Sequence, residues 1–305
     1  MKILSFLTRP LLGAWSLVLS LVVCAFLGGA APAGEPMVPV DKEAQRLEIS
    51  VLADVHMEGN NPLRIQQLSR ILAYISQSEG RRDGVVLLGD NTMNGQLVEY
   101  LNLYGILKAF PGAGSVFPVM GNHDLNQGTY CHKLQVVKQN VFKRLLDGRG
   151  GTKEYHSREL NGYRLIALGD EIGYEDTSAY LSQEQLEWFA GEMESAAAAG
   201  KPVFVFLHQP IDGIFSSYSY CEQSDAVKEI VNQYENVFVF NGHLHWDFEV
   251  KPVDGVTYIN GQTIMSSTPQ GRGIQVEVYD NRVELRPVNY LTGEWLAGSV
   301  AIPLD

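Results

Sequence analysis

Met120-Gly121-Asn122-His123-Asp124 is the stretch on which the fold is read. It follows an apolar run at 116–119 that reads as a short buried strand. A glycine, an amide, an imidazole and a carboxylate then crowd the strand's end. Buried polar groups need partners, so this cluster makes poor core; it makes good sense where a chain leaves a sheet to form a site. Four other stretches have the same form. Residues 49–53 run into Asp54-Val55-His56, 85–89 into Asp90-Asn91, 203–207 into His208, and 237–242 into His243-Leu244-His245. Each is a β-rich run ending in Asp, Asn or His. In an open α/β sheet such strand ends converge on one edge, where ligands bind.

Asp-x-His, Gly-Asp, Gly-Asn-His-Asp, His and Gly-His-x-His, in that order over about residues 47–260, resemble the calcineurin-like metallophosphoesterases. The resemblance implies an α/β fold, a two-sheet αββα sandwich with flanking helices, and a dinuclear metal centre. It places Asp54, His56 and His245 on one ion, Asn122, His208 and His243 on the second, and Asp90 as the bridge. Carboxylate, imidazole and amide donors suit Mn, Fe and Zn alike. Two cations about 3.5–4 Å apart repel, so they need a shared negative ligand between them. The resemblance further implies attack on phosphorus by a hydroxide bridging the ions, with His123 protonating the leaving group or steadying the transition state. Asp124 joins His123 as a catalytic candidate.

One position departs from the family. Many members carry Asp three residues after the bridging carboxylate, where it orients the histidine of Gly-Asn-His; here that residue is Met93. Met cannot accept a strong hydrogen bond from imidazole, so Asp124 or another group must orient His123, or His123 is a weaker acid. Purple acid phosphatases place a tyrosine at that position and lack the histidine of Asp-x-His, so Met93 and His56 set this chain apart from them. The pattern is nearer to the bacterial class III cyclic-nucleotide phosphodiesterases. Those often show His-His-Pro-Pro where this chain has Leu207-His208-Gln209-Pro210, which separates it from them at the substrate side.

The rest of the chain fits one large domain. Helical spacing of apolar residues predicts helices at about 63–78, 95–108 and 133–146, and Ser182 with Gln185 forms a capping-box pair opening another to about 198. A further helix is read at 224–234. Asn161-Gly162 between β-rich runs predicts a hairpin. The β segments at 248–252, 257–259, 273–279 and 283–288 are expected to complete the second sheet, within a domain spanning 47–305.

Residues 1–33 differ in character. Lys2 and Arg9 are their only charges, 11–27 is almost wholly apolar, and Ala31-Pro32-Ala33 follows. This reads as a cleavable signal peptide of a secreted or periplasmic protein, followed by a linker at 34–46; an uncleaved membrane anchor is the alternative. Val23 before Cys24 disfavours lipidation, where a small residue is usual. Removing this segment moves the formal charge from −12 to −14. That charge disfavours nucleic acid, a nuclease role on long chains, or stable association with an anionic membrane, since each needs a basic face. A small phosphate ester remains the expected partner, because bound cations reverse the local sign. The competing readings are a non-catalytic binding module on the same fold and a pyrophosphatase of the same superfamily. In an oxidising compartment Cys131 and Cys221, each in a polar loop, are candidates for a disulfide beside the site. Tyr130, Tyr218 and Tyr220 are either ordinary surface tyrosines or the lining of a base- or aryl-binding pocket. His132 and His156 lie outside the blocks and read as ordinary polar residues.

Overall fold

The computed structural model describes residues 34–304 apart from 60, 126–131, 149–150, 173–176, 217, 219 and 265–269. The segment read as a signal peptide, Tyr130 and Cys131 therefore lie outside the described residues, and so does the expected pairing of Cys131 with Cys221. Cys221 itself is buried, and burial pushes its thiol up to about 11.

Alternation within single strands builds the layers. In β6 (Val203–Phe206), Phe204 and Phe206 face one side and Val203 and Val205 the other; β7 (Val237–Asn241) repeats the pattern with Phe238 and Phe240 against Val237 and Val239. The phenylalanines meet Ile49 and Val51 of β1 (Leu47–Leu52), Val86 and Leu88 of β2 (Gly84–Leu88) and Phe117 of β3 (Ser115–Val119) in a core between two sheets. The valines pack outward under α4 (Gln183–Ala197) and α5 (Ser224–Val231), against Phe189, Met193, Val227 and Val231. On the opposite side Val85 and Leu87 pack outward under α1 (Pro62–Ile75) and α2 (Leu97–Ala109). The result is an α/β fold of two sheets enclosed by helices, the αββα order expected.

Local chemistry sets the helix starts. Asn61 caps α1 by accepting from the Leu63 amide, with Pro62 in the first turn, and Ser182 caps α4 by accepting from the Gln185 amide. The helix read at 133–146 is α3 (His132–Asp147). The hairpin of β4 (His156–Leu160) and β5 (Tyr163–Ala167) turns through Asn161 and Gly162, both at positive φ.

Among the described residues the first sheet runs β12 (Glu294–Trp295), β11 (Arg282–Asn289), β10 (Arg272–Val278), β1, β2, β3, and the second β4, β5, β6, β7, β9 (Val256–Asn260), β8 (Glu249–Val253). This corrects the expectation for the C-terminal segments. Only β8 and β9 join the second sheet; β10 pairs antiparallel with β1, and β11 carries both β12 and β13 (Val300–Pro303). The physical reason is that β1 has one edge against β2 and needs a partner on the other, and Leu47 through Val51 find it in β10. The stretch read as a linker also packs on the domain: Met37 is buried, and Glu35 accepts from the Tyr74 hydroxyl at 2.7 Å.

In both sheets the central strands are parallel, β1-β2-β3 and β5-β6-β7-β9, so their C-terminal ends gather at one edge. Phe117 and Phe206 join the two sheets across the core with ring centroids 5.8 Å apart. Phe206→Ala is expected to cost about 3–5 kcal/mol, read as a lowered urea midpoint of the chelator-treated protein.

Candidate metal centre

The strand ends are laced to one another before any side chain is considered. The loop after β1 runs alongside the loop after β2: Asp54 N donates to Gly89 O (3.2 Å), His56 N to Asp90 O (2.8 Å) and Met57 N to Asn91 O (3.1 Å). Gly242 N donates to His208 O at 3.0 Å, joining the ends of β6 and β7. His123 N donates to Asp90 Oδ1 at 2.8 Å, tying the loop after β3 to the loop after β2.

Glycines make room for this lacing. A Cβ on Gly121 would lie 2.2 Å from the Asp90 amide nitrogen, and one on Gly89 would lie 2.4 Å from His208 Nδ1. The Gly-Asp and Gly-Asn-His spacings are thus steric requirements of a backbone passing directly against ligand side chains. The side chains are held in unusual backbone states as well. Among the described residues nine non-glycine residues have positive φ, and Asp54 (57°), His56 (44°), Asp90 (49°), His243 (67°) and His245 (55°) are five of them. Such conformations cost on the order of 1–3 kcal/mol each and cluster where function fixes a side chain.

All seven residues expected as ligands come together. Asp54, His56 and His245 form one group, Asp90, His208 and His243 a second, and His56, Asp90 and His123 a third that joins them. His245 Nε2 lies 3.1 Å from Asp54 Oδ1 and 3.3 Å from His56 Nε2. Asn122 enters through its Oδ1, 3.1 Å from His243 Nδ1. Asp90 stands in the middle, its Oδ2 being 3.2 Å from His208 Nε2 and 3.8 Å from His56 Nε2.

The donors fit cations better than they fit one another. Two imidazole nitrogens facing at 3.3 Å match the edge of a tetrahedron around an ion with bonds of about 2.0–2.1 Å. Asp54 Oδ2 is buried with no hydrogen-bond partner, and buried His208 Nε2 faces the Asp90 carboxylate at 3.2 Å. His208 Nδ1 donates to the Leu88 carbonyl at 2.8 Å, which leaves Nε2 as the coordinating atom. Leu88 O is a backbone partner that sequence reading did not identify.

Electrostatics reflect the crowding. Burial lowers His56 to about 4 against the pull of Asp90 and Asp54, and lowers His243, also disfavoured by His208, to about 4. For His208 burial acts downward, but Asp90 beside it outweighs that effect and raises it to about 9. Burial acts to raise Asp90, yet His208 and His56 hold it below the ordinary carboxylate range. Without cations the centre is therefore anchored by an Asp90–His208 ion pair, and a cation entering there displaces the imidazolium proton.

Asp124, expected to be catalytic, is placed differently. It is fully buried and its carboxylate is occupied by the scaffold: Oδ2 accepts from the amides of Asn91 (3.2 Å) and Gly121 (3.0 Å) and from Asn91 Nδ2 (3.0 Å), while Oδ1 accepts from the Thr92 amide (2.9 Å) and hydroxyl (2.8 Å). It clamps the loop bearing Asp90 to the loop bearing Asn122 and His123, so it is a positioning residue. Burial and nearby Asp90 push its carboxyl up to about 6 despite these donors. The group that orients His123 is the Met93 backbone carbonyl, 2.9 Å from Nδ1. A carbonyl only accepts, so Nδ1 carries the proton and Nε2 is left for chemistry. The Met93 side chain at a position where relatives carry a carboxylate thus does not leave His123 unsupported.

The remaining histidines stay outside the centre. His132 pairs with Glu154 at 2.9 Å, and His156 is buried against the Phe117 ring, 4.7 Å between centroids.

A family model of the calcineurin-like phosphoesterases matches residues 47–247. A cAMP/cGMP dual specificity phosphodiesterase of Mycobacterium tuberculosis is 26% identical over 71% of this chain and 69% of its own length. A probable cyclic nucleotide phosphodiesterase of Rhodococcus erythropolis is 24% identical over 76% of this chain and 74% of its own. Among solved structures, a dimetal phosphatase from Danio rerio superposes with a TM-score of 0.63 at 15% identity, covering 86% of this chain and 100% of that one.

Asp124→Asn places an amide NH₂ against donors and is expected to cost about 2–4 kcal/mol. Urea denaturation of the chelator-treated protein measures it; a loss below about 0.5 kcal/mol would remove Asp124 from the clamp.

Proposed function

The chain belongs to the calcineurin-like phosphoesterases and is a metal-dependent phosphoester hydrolase; from that premise we propose that it cleaves small phosphodiesters, nucleoside cyclic phosphates among them, outside the cytoplasm. The observation that carries this reading is the donor set around Asp90, complete on both sides and buried with unsatisfied atoms. The activity named for the two bacterial relatives supports the diester. The formal charge of −12 supports a small substrate over a polyanion, which a basic surface would have to hold.

Asp54, His56 and His245 would hold one cation, Asn122, His208 and His243 the other, with Asp90 shared. Two such ions supply a nucleophile at neutral pH and neutralise charge on the phosphoryl oxygens. Asp54 and Asp90 are the only carboxylates in the ligand groups, so two divalent ions leave the centre net positive, which favours an anionic diester. Imidazole and carboxylate donors admit Mn, Fe or Zn.

The protein's own contribution to bond cleavage is His123. Its ring lies edge-to-face to His56, centroids 4.7 Å apart, so it borders the donor cluster. Its backbone is fixed by Asp90 and its ring by Met93 O. With Nδ1–H committed to that carbonyl, Nε2 faces the leaving oxygen, and in the imidazolium form, where both ring nitrogens carry a proton, it is the atom that delivers one.

The Mn²⁺-loaded protein is expected to hydrolyse bis(p-nitrophenyl) phosphate and to lose that activity on chelation. Asp90→Ala should lower both turnover and metal content, and His123→Ala should lower kcat by about 10²–10⁴ on 3′,5′-cyclic AMP, and by less on the p-nitrophenyl diester, with metal content retained. No turnover with any metal would return the fold to a binding role, and metal loss in His123→Ala would overturn the role given to that residue. Export is checked separately: the mature protein should begin at Gly34.

A further inference from the structure

The loop between β6 and α5 carries two tyrosines that the chemistry above does not use. The Tyr220 ring stands edge-to-face to the ring of His243, centroids 5.0 Å apart. The Tyr218 ring is 6.4 Å from that of Tyr220, again edge-to-face. Together they lead from a candidate ligand out to solvent, where Tyr218 is 72% exposed.

The inner part of this path is held firmly. Asp212 Oδ1 accepts from the amides of Tyr220 (2.6 Å) and Cys221 (3.0 Å), and Tyr220 O accepts from the Ala179 amide at 2.8 Å. Cys221 is buried in the core beneath. The Tyr218 amide is held by Ser216 Oγ at 3.0 Å. A single exposed tyrosine needs no explanation. Here one aromatic ring touches a ligand histidine, its backbone is fastened on both sides, and a second ring continues outward from it. A fixed, open aromatic surface beside a phosphate-handling centre has the properties needed to stack a planar group, because every nucleobase has a π-face and tyrosine presents one at little entropic cost.

We propose that Tyr220 and Tyr218 form a stacking platform for the aromatic half of the substrate, a nucleobase whose phosphate sits at the Asp90 centre. The proposal rests on the small-diester reading and adds to it the part of the substrate that is not phosphate. Tyr220 also buttresses His243, so replacing it would disturb the ligand; Tyr218 tests the platform without touching that ring.

Isothermal titration of the Mn²⁺-loaded full chain with AMP and with ribose 5-phosphate provides the test, since it needs no turnover. AMP should bind tighter by a factor between about 5 and about 150, the range of one base–aromatic stack. Tyr218→Ala should abolish that preference with manganese content unchanged, and Tyr218→Phe should keep it, because stacking does not need the hydroxyl. Equal affinities in the parent protein, or a preference surviving in Tyr218→Ala, would overturn the platform. The two readings fail separately. A protein that cleaves diesters without preferring AMP loses only the platform; one that prefers AMP through Tyr218 and cleaves no diester keeps the platform and loses the diester reading.

Discussion

Lone pairs of seven side chains are brought together in a largely buried space, and mutual hydrogen bonds do not satisfy them. Nε2 faces Nε2 between His56 and His245, and Asp54 Oδ2 has no hydrogen-bond partner. Such an arrangement is unfavourable unless positive charge enters it, since buried acceptors without donors retain their full desolvation cost. One proton, held between Asp90 and His208, offsets only part of this. The residues that make the fold costly at this edge are those that make it receptive to cations.

The rest of the sandwich keeps that edge from relaxing. Five candidate ligands sit at positive φ, on the loops after β1, β2 and β7. Asp124, in the loop after β3, fastens that loop to the β2 loop by accepting from Gly121 on one and Asn91 and Thr92 on the other, and the backbone bonds from Asp54, His56 and Met57 tie the β1 loop to the β2 loop. Beneath them the parallel strands are locked by a core in which Phe204, Phe206, Phe238 and Phe240 fill the space between the sheets. Strain at the site is thus opposed by packing several residues away, an arrangement expected where geometry must be set before the ligand arrives.

The residues that cluster at the strand ends were legible in sequence because each depends on side-chain identity at the end of an apolar run, and both signals are local. The helix cap at Ser182 and the Asn161-Gly162 turn were legible for the same reason. The partners of the late strands were not. Alternation in 273–279 and 283–288 marks a strand but carries no information on which sheet it joins, and the choice was made by the unpaired edge of β1. Asp124 was read as chemistry from its place in a motif, yet three backbone amides and the side chains of Asn91 and Thr92 occupy its carboxylate. The support for His123 was hidden more completely: a carbonyl oxygen is present at every residue, so nothing in the letter Met93 announces that its main chain does the work a carboxylate does elsewhere.

This last substitution bears on what kind of phosphoester suits the site. A carboxylate behind an imidazole stabilises the imidazolium and makes Nε2 more basic; a neutral carbonyl orients the ring but adds no charge. The charge beside the ring comes from Asp90, which accepts from the His123 amide, is shared with His208, and has a carboxylate oxygen within 4.8 Å of a His123 ring nitrogen. A ribose alkoxide leaving from a nucleoside cyclic phosphate is strongly basic and needs the proton that Nε2 carries in the imidazolium form, whereas a stabilised oxygen departs with little such help. His123 therefore matters most where the leaving oxygen is basic, independently of what binds at the tyrosines.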